Sequence, residues 1–167
     1  MRPLLRAAAL LASALVVANC AQTPQAMQMS RSAPDAAAPE VARAAPSERD
    51  LSCLAEAVYF EARGTGPVGE SAVAHVVVNR AQAPAFPNSI CGVVGDGCQF
   101  SYRCDGHSDA LAEPGSRARA FKVAETVLSG APDITGGALF FHSARVAPGW
   151  FKTRPRVGTF GGNVFYR

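Results

Sequence analysis

The stretch "CLAEAVYFEARGTGPVGE", residues 53–70, places glutamates among small and apolar residues. Glu61 follows Leu54 and Val58 at helical spacing, so its carboxyl group is expected beside an apolar face. Burial there would penalise the charged form and raise the pKa of Glu61, as a general acid requires. Glu56 is expected to point away from that face, toward solvent. The stretch therefore contains one glutamate suited to proton transfer.

Position alone leaves a second interpretation of Glu61 open. Its carboxylate could instead pair with Arg63 or Arg80 near the end of the same helix. No second carboxylate has a comparable setting. Asp105 and Asp109 lie in a polar, glycine-rich stretch and are more typical of solvated loop acids that cap turns.

The elements that must position Glu61 are helices in the first part of the chain. Ser47 with Asp50 three residues later resembles a capping box, and Gly64 is a plausible stop. A second helix is expected to begin at Pro67, and a third lies near residues 114–129 with Ala118, Phe121, Ala124 and Leu128 on one face.

The hydrophobic period changes after the third helix. "ALFFHS" is typical of a strand, and "VGTFGGNVFYR" predicts a hairpin that turns at Gly161–Gly162. Residues 91–109, "CGVVGDGCQFSYRCDGHSD", are too rich in glycine and polar residues for a regular element and predict a long loop. Helices followed by a small antiparallel sheet indicate an α+β domain.

Five cysteines are present, and setting Cys20 aside leaves four that can form two disulfides. Cys98 and Cys104 are close enough in sequence to close a small loop, which leaves Cys53 with Cys91. A competing interpretation is a zinc site formed by Cys98, Cys104 and His107. That set lacks paired C-x-x-C spacing, so we expect no metal.

The N-terminus is typical of an exported protein. Arg2 and Arg6 precede the apolar run "AAALLASALVVA", which predicts a signal peptide over residues 1–20. "VVANC" resembles a lipoprotein box that would make Cys20 the lipidated residue and anchor the protein to the outer membrane. Residues 21–46 are rich in alanine and proline and predict a flexible tether, so the folded domain spans residues 47–167.

The composition argues against a disordered chain, and the charge does little to identify a binding partner. The sequence has 167 residues, 49% hydrophobic and 17% charged, which suits one globular domain. The formal net charge is +3, but without Arg2 and Arg6 the 16 basic residues fall to 14 against 13 acidic ones. Such a balance gives no support for a nucleic-acid partner.

Five segments together carry a family resemblance: "AEAVYFEARG", "VAHVVVNRA", "FPNSICGVV", "CQFSYRCDG" and the terminal "NVFYR". In this order they resemble the SleB-type cell wall hydrolases, typified by spore cortex-lytic enzymes, over roughly residues 51–167. The resemblance implies a lysozyme-like α+β fold and cleavage of peptidoglycan, as a lytic transglycosylase. It also implies that Glu61, in the E-A-R-G motif, is the catalytic acid.

A single acid is consistent with a transglycosylase that cleaves the β-1,4 bond between N-acetylmuramic acid and N-acetylglucosamine. There the C6 hydroxyl of the substrate attacks, and one glutamate acts first as acid and then as base. We expect other polar groups to orient the glycan strand and two aromatic rings to stack on sugars. The polar candidates are Asn79, Gln99, Ser101, Tyr102 and His142, and the aromatic ones are Phe100 and Trp150.

Each of these residues also has a structural interpretation. Asn79 can bridge backbone groups in the core, and Phe100 and Trp150 can be core anchors. The basic run at residues 152–156 can meet anionic peptide stems or simply be solvated.

We expect a monomer without a cofactor, acting in the periplasm or cell envelope. The alternatives are a zinc-dependent amidase or peptidase of the wall and a non-catalytic peptidoglycan-binding lipoprotein.

Overall fold

The computed structural model describes residues 45–167. The predicted signal peptide, Cys20 and nearly all of the predicted tether lie outside the described residues. The described chain forms four α-helices and three strands. They are α1 (Glu48–Ala62), α2 (Gly66–Gln82), α3 (Ile90–Val94), α4 (Pro114–Leu128), β1 (Phe140–Ser143), β2 (Arg156–Phe160) and β3 (Asn163–Tyr166).

Helix α1 begins and ends where its sequence indicates. The Ser47 hydroxyl oxygen accepts a hydrogen bond from the Asp50 backbone N–H at 3.0 Å, which confirms the predicted cap. At the other end Gly64 adopts φ +85°, a left-handed conformation that glycine reaches without steric cost. The Thr65 N–H then donates to the Ala62 carbonyl at 3.0 Å and closes the helix.

Helix α2 is the central element of the helical layer. Its residues 72–77 are all buried, so the helix is enclosed on most sides by α1, α3 and α4. Pro67 lies in its first turn, as predicted. Within residues 45–167 none of the helices is long and apolar enough to cross a membrane.

One local prediction was wrong. Residues 90–94 form the short helix α3, capped by the Ser89 hydroxyl, although the sequence there suggested a loop. In α4 the predicted face is confirmed at Ala124, which is buried, and at Phe121 and Leu128, which are partly buried against the core, whereas Ala118 is exposed.

The three strands form one antiparallel sheet in the order β1–β3–β2. The predicted hairpin joins β2 to β3, and both Gly161 and Gly162 have positive φ, at 56° and 82°. Two consecutive positive values are typical of the tight turns that join twisted strands. β3 carries the fully buried Phe165 into the core, so the sheet packs on the helical layer through its central strand. The expected α+β class is confirmed.

The hairpin turn touches the start of α2. A Cβ atom added to Gly161 would lie 2.5 Å from the Gly69 Cα and 2.6 Å from the Thr65 carbonyl oxygen. Real side-chain atoms cannot approach backbone so closely, so this contact requires glycine. It places the end of the sheet against the α1–α2 junction, immediately after Glu61.

Both expected disulfides are formed. Cys53 pairs with Cys91 and links α1 to α3, and Cys98 pairs with Cys104 within the loop that follows α3. The first bridge joins residues 38 positions apart, so it restricts the unfolded chain far more than the second, which spans six.

The hairpin contact gives a matched pair of substitutions. Gly162→Ala faces open space and should destabilise the fold by about 1–2 kcal/mol through its positive φ alone. Gly161→Ala should cost about 1–3 kcal/mol more, because it also drives a methyl group into Gly69 and Thr65. Urea unfolding of the two variants measures the difference, and equal midpoints would contradict the close contact.

Candidate active site

Glu61 lies in the last turn of α1, and its side chain is half-buried. Burial raises the pKa of the Glu61 carboxyl group above its ordinary value, and the nearby positive charge of Arg80 partly opposes that rise. Within residues 45–167 its carboxylate forms no ion pair. The carboxyl group is thus desolvated and has no ion-pair partner to stabilise its charged form, which is the environment of a proton donor.

Arg80 is the main charged neighbour of Glu61 and is only 6% exposed. Its Nε donates to the Leu139 carbonyl oxygen at 2.7 Å. Its guanidinium lies 5.2, 5.7 and 5.9 Å from the ring centroids of Phe86, Phe100 and Phe140. Burial lowers the pKa of Arg80 to about 10, so the group stays charged at neutral pH.

The sequence raised Arg80 only as a salt-bridge partner that would neutralise Glu61. The structure places it close enough to act on the Glu61 charge but not in an ion pair with it. Arg63, the other proposed partner, turns toward Tyr59: its Nη1 donates to the Tyr59 hydroxyl at 3.2 Å. The signal for Arg80 was present in "VVVNR", where a cation follows an apolar run.

Glu56 is not the solvated residue that the sequence predicted. Its Oε1 is buried and lies 3.1 Å from Nη1 of Arg103, which also contacts Asp109 at 3.0 Å. The correction follows from the loop after α3, which folds back over α1 and covers this side of the helix. Glu56 and Asp109 therefore share one cation and anchor the disulfide loop.

The predicted stacking role of Phe100 is wrong. The ring is 1% exposed and packs in the core near Arg80, so no sugar can reach its face. Tyr102 is also buried, and its ring stacks on Phe60 at 4.3 Å between centroids. Burial and the charge of Glu56 raise the Tyr102 pKa, and Glu61 contributes in the same direction.

The Tyr102 hydroxyl is buried beside the Glu56 carboxylate. Because that oxygen is inaccessible, a ligand can reach it only if the loop moves. Gln99 and Ser101 differ, since both are exposed at the surface of the same loop. The "CQFSY" segment thus alternates between residues that face solvent and residues that enter the core.

Asn79 holds a loop in place. Its Nδ2 donates to Asp133 at 3.0 Å and to the Ala138 carbonyl oxygen at 3.1 Å. Both amide hydrogens therefore have partners on the segment that connects α4 to β1, the bridging arrangement that the sequence left open.

A cluster of aromatic side chains lies on the sheet. His142 stacks on Tyr166 at 5.4 Å between centroids, and its Nε2 lies 3.1 Å from the Tyr166 hydroxyl. Trp150 meets both rings edge-on, at 5.6 and 5.7 Å, yet remains 40% exposed. Of the predicted stacking residues, Trp150 presents an accessible face. Tyr166, which the sequence reasoning did not single out, orients His142.

The thiols counted toward a zinc site are not available, because Cys98 and Cys104 are bonded to each other. Among the described residues no group of three or more His, Cys, Asp or Glu side chains could hold a metal ion.

A cell wall hydrolase family model matches residues 64–166. The match begins three positions after Glu61, so the assignment of Glu61 depends on its motif and its environment. Curated relatives include spore cortex-lytic enzymes of Halalkalibacterium halodurans, 33% identical over 119 residues, and of Bacillus subtilis, 31% identical over 119 residues. These alignments cover 71% of this chain but 35% and 38% of the relatives, so the chain spans under half of their length.

Solved structures agree with these relatives. The catalytic domain of the germination-specific lytic transglycosylase SleB from Bacillus anthracis aligns with a TM-score of 0.61 and 30% identity, over 73% of this chain and 97% of that domain. The SleB catalytic domain from Bacillus cereus gives 0.60 and 30%, over 72% and 91%. The lysozyme-like fold expected from the sequence is thereby confirmed. The family model covers more than half of the sequence, and this chain belongs to the cell wall hydrolase family.

Proposed function

We propose that the protein cleaves peptidoglycan as a lytic transglycosylase, at the β-1,4 bond between N-acetylmuramic acid and N-acetylglucosamine. The observation that carries the proposal is the Glu61 carboxyl group, whose pKa is raised by burial and which has no ion-pair partner among the described residues. Family membership and the likeness to SleB catalytic domains support the substrate class.

In the proposed reaction, protonated Glu61 donates its proton to the glycosidic oxygen as the bond from C1 breaks. The C6 hydroxyl of the same muramic acid then attacks C1, and ionised Glu61 accepts the hydroxyl proton. The product is a 1,6-anhydro ring, no water is consumed, and the carboxyl group ends as it began. One carboxyl group therefore suffices.

Arg80 is proposed to balance these two duties. Desolvation favours the neutral acid needed for the first step, while the positive charge of Arg80 favours the carboxylate needed for the second. Among the orienting residues we retain Gln99, Ser101, His142 and Trp150, which are at least partly accessible.

We also propose that the protein acts outside the cytoplasm, in the periplasm or cell envelope. Two disulfides are typical of an oxidising compartment, and the predicted signal peptide is consistent with export. The same proposal includes a lipid anchor on Cys20, which the resemblance of "VVANC" to a lipoprotein box supports. No specific observation favours the amidase or the purely binding alternative, and the cysteines of the supposed zinc set are joined in a disulfide.

Substitution of Glu61 tests the chemistry. Glu61→Gln keeps the size of the side chain but cannot donate the proton, so anhydro-muramoyl products from purified sacculi should fall by about 100-fold or more. Glu56→Gln, on the same helix, should leave the identity of the products unchanged. Mass spectrometry of the released fragments measures both. Reducing ends in place of anhydro ends would indicate a hydrolase, and full activity of Glu61→Gln would refute the assignment.

The raised pKa of Glu61 also predicts a stability effect. Because the folded protein favours neutral Glu61, that contribution to stability is present at low pH and is lost as the pH rises through the raised pKa. Glu61→Gln should therefore have a higher urea midpoint than wild type at pH 7, and the gap should close below about pH 4. Glu48→Gln, exposed in the first turn of α1, should show no gain.

The role of Arg80 predicts a shift in the pH–rate profile. Removing its charge in Arg80→Gln should raise the Glu61 pKa further, so the alkaline limb of kcat/KM should move to higher pH. Arg80→Lys retains a positive charge and should keep the limb near its wild-type position. Equal profiles for the two folded variants would contradict electrostatic coupling between Arg80 and Glu61.

A further inference from the structure

Charge is divided unequally between the two parts of the domain. Residues 45–133, which contain the helices, carry 11 acidic and 7 basic residues. Residues 134–167, which contain the sheet, carry five basic residues and no acidic one. The five are Arg145, Lys152, Arg154, Arg156 and Arg167, and we call them the sheet cations.

Within the described residues none of the sheet cations lies in an ion pair. Three of them have other contacts: Arg154 lies over the Phe140 ring, Arg156 donates to Thr159 and Arg167 to the Gly136 carbonyl. Arg145 and Lys152 differ, since both are exposed and no hydrogen bond or ring contact of their charged groups is found there. A cation left without a counter-charge is free to bind an anionic ligand.

These two cations are close in sequence to an exposed aromatic ring, Trp150. Lys152 lies in the same 3₁₀ turn as Trp150, residues Gly149–Thr153, and Arg145 follows β1 at the other side of the connecting loop. Trp150 in turn packs against His142. An accessible ring with two unpaired cations within a few residues of it and of its partner His142 matches a ligand that has both an apolar sugar face and carboxylates.

The sheet cations are also connected to the proposed acid. The Arg154 guanidinium is 3.4 Å from the Phe140 ring centroid, and Arg80 lies 5.9 Å from the same centroid. The guanidinium groups of Arg154 and Arg80 therefore lie near each other around one aromatic ring. Since Arg80 acts on the charge of Glu61, Arg154 is the sheet cation that these contacts connect to the proposed acid.

We propose that Arg145 and Lys152 bind the free carboxylates of the peptide stems on the glycan strand, with Trp150 against a neighbouring sugar. The inference rests on the proposed function. Each muramic acid of an intact strand carries a stem through its lactyl group, so a glycan bound at Glu61 presents carboxylates at the disaccharide repeat. The protein then selects stem-bearing strands over stripped glycan, and the preference appears as binding strength.

The test compares intact sacculi with sacculi whose stems have been removed by an amidase. The catalytically impaired Glu61→Gln protein should bind intact sacculi more tightly, by about five- to tenfold, and high salt should abolish the difference. In the active protein, the double variant Arg145→Gln/Lys152→Gln should raise KM for intact glycan to the wild-type value for stripped glycan.

A matched control is Arg117→Gln/Lys122→Gln on α4, which removes the same charge from the helical part of the domain. This pair should leave KM unchanged. An equal loss in both double variants would mean that net charge alone matters and would overturn the proposal, as would equal wild-type KM values for the two substrates. Circular dichroism and urea midpoints establish that each variant is folded.

A membrane surface is the competing anionic partner. The wild type and the Arg145→Gln/Lys152→Gln variant are compared for binding to vesicles containing phosphatidylglycerol and to sacculi. If the variant loses binding to the vesicles but keeps the wild-type affinity for sacculi, the stem assignment is overturned. A failure of this inference can be distinguished from a failure of the proposed function. Anhydro products with no stem preference refute this inference alone, whereas the absence of glycan cleavage from both substrates refutes the proposed function.

Discussion

The architecture depends on burying one guanidinium between the helical layer and the sheet. Arg80 leaves water almost completely, and an uncompensated charge at that depth would be prohibitive. The Leu139 carbonyl oxygen and three aromatic ring faces compensate it. These partners come from β1, the residue just before it, and the loops after α2 and α3. Satisfying Arg80 therefore assembles those segments around the C-terminal end of α1, where the proposed acid lies.

The environment of Glu61 is set by the balance between two opposing effects. Burial favours the neutral carboxyl group, and the nearby cation favours the ionised one, with burial the larger. A direct ion pair would have stabilised the carboxylate and removed the acid. Arg63 is turned aside toward Tyr59, and Arg80 is held by the Leu139 carbonyl, so neither closes on Glu61. The hydrogen bonds of these two arginines therefore keep both cations out of an ion pair with Glu61.

Local signals predicted the elements, and long-range packing decided the site. Ser47 and the Gly161–Gly162 pair act through nearest-neighbour geometry, so the start of α1 and the hairpin could be predicted from the sequence. The burial of Phe100 could not, because it depends on how the disulfide loop folds against α2. The same loop turned Glu56 from a predicted surface residue into a partner of Arg103. Periodicity describes one helix at a time and contains no information about what covers it.

The Cys53–Cys91 bridge has a mechanical consequence. The chain enters the domain at the start of α1, and the bridge lies between that entry and Glu61, which is eight residues, or about 12 Å of helix, farther on. A pulling force that arrives from the preceding chain reaches Cys53 first and is shared there with α3 through a covalent bond. Because Glu61 lies inside the covalent loop that the bridge closes, the bridge limits how far such a force can extend the last two turns of α1.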